Sequence, residues 1–263
     1  MNKTILITGA ASGFGKIAAF DLAQKGHNVI ATTQVYPQMS DLIREAKEKG
    51  ITLTVDKLDV THSGDIEYIL KKYENIDILI SNAGIMEGGP IAEQPVDLIR
   101  SMFEINVFGA LQLAQGFIKK FVEKKQGKIV FTSSMGGLWT VPYVAAYCAS
   151  KHALEAIAEG LKTELAPFNI KIATCNPGVF GTGFNDRGVD SIFRWYDPKV
   201  NFTPESSFDG VGESLAHQLD PQSMADVIVN VALDENSNFR NVHPKETEDY
   251  VKQLQAEAWN AKS

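Results

Sequence analysis

The opening stretch constrains the fold more than any other part of the chain. Thr4-Ile5-Leu6-Ile7 is a short apolar run of the kind that forms a buried parallel strand. It passes straight into Thr8-Gly9-Ala10-Ala11-Ser12-Gly13-Phe14-Gly15. A helical pattern with Ile17, Phe20 and Leu22 follows, ending at Lys25-Gly26. Strand, glycine turn and helix in this order are the setting a dinucleotide-binding turn requires. Gly9 permits the tight exit from the strand, Gly13 lets backbone approach a pyrophosphate, and Gly15 lets the helix pack closely. The helix start offers unpaired N–H groups and a positive dipole end to phosphate oxygens.

Strand and helix patterns then alternate, which predicts an α/β fold: one Rossmann-type, doubly wound parallel sheet with helices on both faces. The expected strands are residues 3–8, 28–32, 52–57, 77–81, 127–133 and 169–175, with a short last strand near Phe239 to Val242. The expected helices span 14–25, 38–49, 63–73, 96–124 and 145–166. No linker or repeat interrupts the 263 residues, so a single domain is expected. A net charge of −7 argues against a nucleic-acid surface. No apolar stretch approaches a membrane span, and Met1-Asn2-Lys3-Thr4 leads directly into the first strand, so no signal peptide and a cytoplasmic location are expected. Cys148 and Cys175 have no metal or redox spacing and read as reduced buried thiols, although Cys148 adjoins Tyr147 and invites alkylation. The five histidines are scattered, and no metal site is expected.

Ser134, Tyr147 and Lys151 carry the chemistry. Tyr147 and Lys151 stand four apart on a predicted helix and share one face. Ser134 follows Ile129-Val130-Phe131, where a strand should end. A hydroxyl facing a Tyr/Lys helix is equipment for moving a proton to or from a carbonyl oxygen. Taken alone, Tyr-x-x-x-Lys also fits a half-buried Tyr and a solvated Lys on an amphipathic helix.

The joint pattern resembles the short-chain dehydrogenase/reductase family in its shorter single-domain branch. The similarity runs from about Lys3 to about Thr182. It comprises the Thr8–Gly15 turn, Asn82-Ala83-Gly84 after Ile78-Leu79-Ile80, Asn106-Val107-Phe108-Gly109, Ser134, Tyr147 with Lys151, and Asn176-Pro177-Gly178-Val179 with Thr182. The resemblance implies an NAD(P)-dependent oxidoreductase interconverting a carbonyl compound and an alcohol, with the cofactor carrying the hydride. Tyr147 would be the acid in reduction and the base in oxidation. Lys151 would lower its pKa and contact the nicotinamide ribose, and Ser134 would hold the substrate oxygen. Asn106 matches the family's fourth catalytic residue, thought to hold a water linking Lys151 to solvent; an amide satisfying nearby backbone is the alternative. The cofactor would lie along Gly9, Ser12, Gly13, Phe14 and Gly15, with Asp59-Val60 at the adenine and Asn82, Ala83 and Gly84 at the adenosine ribose. Pro177, Gly178, Val179 and Thr182 would face the carboxamide. A homodimer or homotetramer is implied, paired through the long helix from Val96.

A cation about 4 Å from the phenol is worth roughly 4 kcal/mol at an effective dielectric near 20; with help from oxidised nicotinamide, Lys151 would lower the Tyr147 pKa by about 3 units before desolvation pushes back. Counting from Gly26, Thr33 and Gln34 occupy the place where an acidic residue would bind the adenosine ribose and repel a 2′-phosphate. No acid stands there and no base either, and the balance leans to NADP over NAD. Residues 180–208 break the alternation and carry Phe184, Phe193, Trp195, Tyr196 and Phe202 among glycines and prolines. They read as a substrate lid without regular structure. Trp139, Val141, Pro142 and Tyr143 would face the substrate, or else pack. Two other functions are weighed. A sugar epimerase or dehydratase uses a similar Tyr/Lys pair, but the sequence after Thr182 is short for its sugar domain. A dinucleotide-binding sensor or scaffold without turnover would not need Ser134, Tyr147 and Lys151 together.

Overall fold

A computed structural model describes residues 2–208, 210 and 215–262. Seven parallel strands form one sheet in the order β3-β2-β1-β4-β5-β6-β7. They are β1 (Thr4–Ile7), β2 (Asn28–Thr33), β3 (Thr54–Lys57), β4 (Ile78–Ser81), β5 (Gly127–Thr132), β6 (Ile170–Pro177) and β7 (Arg240–His243). The helices between them are α1 (Gly13–Gln24), α2 (Tyr36–Glu48), α3 (Ser63–Lys72), α4 (Val96–Phe103), α5 (Ala110–Lys124) and α6 (Ala145–Leu165). Among the described residues, α7 (Phe184–Asp190), α8 (Pro221–Leu233) and α9 (Lys245–Ala258) follow β6.

Each strand is covered on both faces, because successive side chains point to opposite sides. Ile5 and Ile7 enter one core with Ala18, Leu22, Leu42 and Ile228, beneath α1, α2 and α8. Leu6 enters the other with Ile69, Phe117, Phe121 and Leu154, beneath α3, α5 and α6. At about 25 cal/mol per Å² of apolar area removed from water, these two layers supply the main drive for folding. The sheet order reverses between β1 and β4, and a crevice opens there beyond the strand C-termini.

All seven expected strands are present within two residues at each end. The single helix expected over 96–124 is instead α4 and α5 joined by a π-helical turn, Glu104–Gly109. Periodicity cannot report the extra residue that a π turn inserts, and such turns gather at functional sites. A Cβ on Gly109 would lie 2.4 Å from the Val60 carbonyl oxygen, so the turn presses directly on the loop after β3. Helices α8 and α9 were not among the expected elements. The sequence does carry a signal for α8: the Asp220 side chain accepts from Gln222 N at 2.9 Å, and Pro221 takes the first helical position.

Residues 180–208 are not structureless. They contain α7 and 3₁₀ turns at Ser191–Arg194 and Glu205–Phe208. Trp195 donates from its indole to Gly88 O at 3.3 Å and brings its ring edge against Gly89, where a Cβ would come within 2.2 Å of the ring. Tyr196 meets Phe208 edge-on at 5.0 Å, and Phe208 meets Tyr143 at 5.4 Å. The aromatic residues bury one another, which local periodicity does not reveal; Phe193 and Phe202 remain exposed. No described helix is long and apolar enough to cross a membrane.

Candidate active site

The glycine turn forms the floor of the crevice. Gly9 and Gly13 adopt φ of +67° and +55°, conformations that side chains other than glycine rarely take. The buried Thr8 hydroxyl accepts from Asn82 N at 2.9 Å and Ala83 N at 3.0 Å. Asn82 returns its side-chain amide to Thr8 O at 3.0 Å and Gly9 O at 3.3 Å. These bonds clamp the loop after β4 onto the loop after β1. A Cβ on Gly15 would lie 2.5 Å from Asn82 Nδ2, so Gly15 makes room for this clamp. Ser12 precedes α1 without capping it, so the helix start turns its free N–H groups to the crevice.

A cavity of about 240 Å³ runs along this floor. It is lined by Gly9, Ser12, Gly13, Phe14, Asp59, Val60, Asn82, Ala83 and Gly84, and beyond them by Ser134, Tyr147, Lys151, Pro177, Gly178 and Thr182. One continuous space thus joins residues from six strand ends. A Cβ on Gly84 would stand 3.1 Å from Asn106 Oδ1 and 3.6 Å from Lys151 Nζ, so the wall beside the lysine is bare backbone.

Ser134 sits just past β5, and its hydroxyl accepts from Gly136 N at 3.0 Å. A Cβ placed on Gly136 would be 3.4 Å from Ser134 Oγ and 3.6 Å from Tyr147 Cε1, so the two side chains border the same point. Lys151, one turn beyond Tyr147 on α6, donates to Thr132 O at 2.9 Å and lies 5.8 Å from the Tyr147 ring centre. The expectation that this ammonium lowers the phenol pKa is corrected here. Burial pushes the Tyr147 phenol well above the usual range, and the nearby Ser134 hydroxyl opposes this only in part. Burial also pulls Lys151 down to about 8, against the attraction of Glu155. Desolvation acts on both groups, and the lysine is directed at a carbonyl rather than at the phenol oxygen.

Asn106 does not line the cavity. Its Oδ1 accepts from Ile85 N at 2.9 Å, and its Nδ2 donates to Ile85 O at 2.9 Å and Ser150 Oγ at 3.0 Å. These bonds satisfy the Ile85 backbone and lock the loop after Gly84 to α6. Thr33 is also outside. It is fully buried, so the polar end of β2 facing the cavity is Gln34, with Gln38 beside it. Gln34 donates to Asp59 Oδ2 at 3.1 Å. Burial raises the Asp59 pKa, but bonds from the Thr61 hydroxyl, the Thr61 backbone and Gln34 outweigh it and hold the carboxyl below its ordinary value. Val179 turns its carbonyl to Leu219 N at 3.0 Å and is not a lining residue. Trp139 packs edge-on against Tyr250 of α9 at 6.0 Å, and neither it nor Val141, Pro142 or Tyr143 reaches the cavity. Cys148 and Cys175 are free and fully buried, and burial pushes both thiols up, which shields Cys148 from the alkylation expected of it.

A family model for short chain dehydrogenases matches residues 3–190. The chain belongs to the short-chain dehydrogenases. An uncharacterized oxidoreductase of Bacillus subtilis, YusZ, is 34% identical over 248 residues, covering 88% of this chain and 85% of the relative. Retinol dehydrogenase 8 of Bos taurus is 32% identical, covering 87% of this chain and 77% of the relative. A short-chain dehydrogenase/reductase from Burkholderia phymatum, solved in complex with NAD, superposes with a TM-score of 0.82 at 20% identity, covering 100% of this chain and 96% of that one.

This short-chain dehydrogenase also has site residues that sequence reasoning missed. Gln38, Ile85, Ile105, Phe180, Asn185 and Arg187 all line the cavity, together with Phe184 of the expected lid. Phe184 meets the Tyr147 ring at 5.9 Å, and Phe180 meets Phe14 edge-on at 5.5 Å. Only chain folding brings α7 over the site, so no local pattern marks these positions; a lone Arg just after Thr182 was the available hint. Behind Ser134 lies a buried polar chain. Arg240 Nε donates to Glu155 Oε2 at 3.0 Å, Asn176 Nδ2 donates to Glu155 Oε1 at 2.6 Å, and the same Nδ2 reaches Ser134 O at 3.2 Å.

Proposed function

We propose that this oxidoreductase interconverts a ketone or aldehyde with its alcohol, using NADP or NAD, with Tyr147 as the proton donor. The observation that carries this reading is the convergence of Ser134 and Tyr147 on one point of the cavity wall that also holds Lys151. The bare glycine floor and the uncapped start of α1 suit a dinucleotide, whose adenosine would lie toward Gln34 and Asp59 and whose nicotinamide would lie toward Tyr147 and Pro177. When bound, the nicotinamide supplies or takes up the hydride.

The protein's own part is proton transfer and positioning. Tyr147, with its pKa held high, keeps its proton at neutral pH and is suited to give it to a carbonyl oxygen. Ser134 Oγ donates to the same oxygen and fixes its position. Lys151, anchored on Thr132 O beside the Tyr147 ring, would hold the nicotinamide ribose. Asn106 acts by positioning Ser150 and the Ile85 loop, not by touching substrate. Ile85 and Phe184 favour an apolar group beside the carbonyl. Pairing of copies through α4, α5 and the π turn between them, where Val96 and Phe108 stand exposed, belongs to the same proposal.

The test is Tyr147→Phe, followed by NADPH and NADH absorbance over a panel of ketones. Cofactor binding should persist while kcat falls by roughly 10²–10⁴-fold. A near-normal kcat in the variant would overturn the assignment.

A further inference from the structure

We propose that Arg187 clamps the diphosphate of the bound dinucleotide, reaching it from α7; this rests on the cofactor reading above. Asp59, Lys151 and Arg187 are the charged residues that line the cavity among the described residues. Two of them are engaged: Asp59 accepts from Thr61 and Gln34, and Lys151 donates to Thr132 O. The Arg187 guanidinium has no hydrogen-bond or ion-pair partner among the described residues. Two nearby acids are turned elsewhere. Asp186 accepts from Gln218 at 2.9 Å, and Glu87 pairs with Arg194 at 2.7 Å.

The location narrows the ligand. Arg187 Nη1 folds back to within 3.0 Å of where a Cβ on Gly183 would stand, and Gly183, at φ +70°, immediately precedes α7. Thr182, the preceding residue, rests on Gly13, where a Cβ would be 3.3 Å from Thr182 Cβ. Gly13 is the first residue of α1. The guanidinium therefore hangs beside the glycine turn, across from N–H groups that favour phosphate oxygens. A planar fork of donors matches two such oxygens at once, which an ammonium cannot do. The helix start holds one side of the diphosphate and Arg187 the other, so cofactor binding secures α7 over the Tyr147 end.

Dissociation constants for ADP, adenosine, NADPH and NADH would be measured by calorimetry on wild type, Arg187→Gln and Arg187→Lys. Arg187 is exposed, so both variants should melt like wild type. Losing a charge-assisted bond should weaken ADP and the dinucleotides by about 10- to 100-fold in Arg187→Gln. Adenosine, which lacks the diphosphate, should bind unchanged, and Arg187→Lys should fall between. In wild type, ADP should slow amide exchange across residues 184–190, and in Arg187→Gln it should not. Equal ADP affinity in wild type and folded Arg187→Gln overturns the clamp. So does a loss confined to KM for carboxylate-bearing ketones, which would make Arg187 a substrate contact. A wild type that binds neither NADPH nor NADH sinks the cofactor reading and the clamp together. A wild type that binds both, with an equally competent Arg187→Gln, sinks the clamp alone.

Discussion

Glu155→Gln tests whether the polar chain behind Ser134 places that residue. The carboxylate side chain is 5% exposed and accepts from Asn176 Nδ2 at 2.6 Å and Arg240 Nε at 3.0 Å. Thr174 Oγ1 adds a longer contact of 3.4 Å. Glutamine keeps one acceptor oxygen but turns an NH₂ toward one of the two donors, so one strong bond is lost and a donor is left facing a donor. A hydrogen bond to a charged group is worth about 1.5–3 kcal/mol. Arg240 is 39% exposed and keeps Glu159 at 3.6 Å, so it finds water and a second carboxylate and limits the damage. The expected destabilisation is therefore about 2–3 kcal/mol, not the full penalty of a stranded buried charge. For a protein of this size that lowers Tm by about 4–12 °C. Asn176, released from Glu155, would hold Ser134 O less firmly, and kcat should fall by about tenfold while cofactor affinity stays. Urea titration by tryptophan fluorescence gives the stability, and turnover of the same samples gives kcat. If Glu155→Gln matches wild type within about 0.5 kcal/mol, the size of an ordinary surface substitution, the chain does not hold Ser134.

Two further outcomes are expected. The Lys151 pKa is depressed to about 8 by burial, so its contribution to stability is present above the ordinary lysine value and is lost as pH falls through about 8. Stability of wild type relative to Lys151→Met should therefore rise by about 3 kcal/mol between pH 8 and pH 10.5, and urea titrations showing a flat difference would refute the burial argument. Cofactor choice should turn on Gln34, because Thr33 is buried. Gln34→Asp adds a carboxylate beside Asp59 and should weaken NADPH at least about tenfold more than NADH, by repulsion of the 2′-phosphate. Equal losses in fluorescence titrations with both nucleotides would show that the 2′ position lies elsewhere.

The order of elements and the core of the site were legible in the residues because they rest on local rules. Thr4–Ile7 followed by Gly9, Gly13 and Gly15 specifies a strand, a turn with positive φ and a close-packed helix, whatever lies elsewhere. Tyr147 and Lys151 share a face because helices repeat every 3.6 residues. Other features depend on which segments meet in space. The π turn at Glu104–Gly109 exists where Asn106 must reach both Ile85 and Ser150. Residues 180–208 take up short helices because Trp195 finds Gly89, and Phe208 finds Tyr143 and Tyr196. The phenol and ammonium pKa values move opposite to a charge-pair expectation because burial, a property of the whole packed molecule, outweighs a local attraction. Sequence alone determined the parallel α/β frame and the grouping of Ser134, Tyr147 and Lys151 as candidates for proton transfer. Tertiary structure alone decided which polar groups face the cavity, which are spent on holding loops, and that Arg187 stands above the glycine turn.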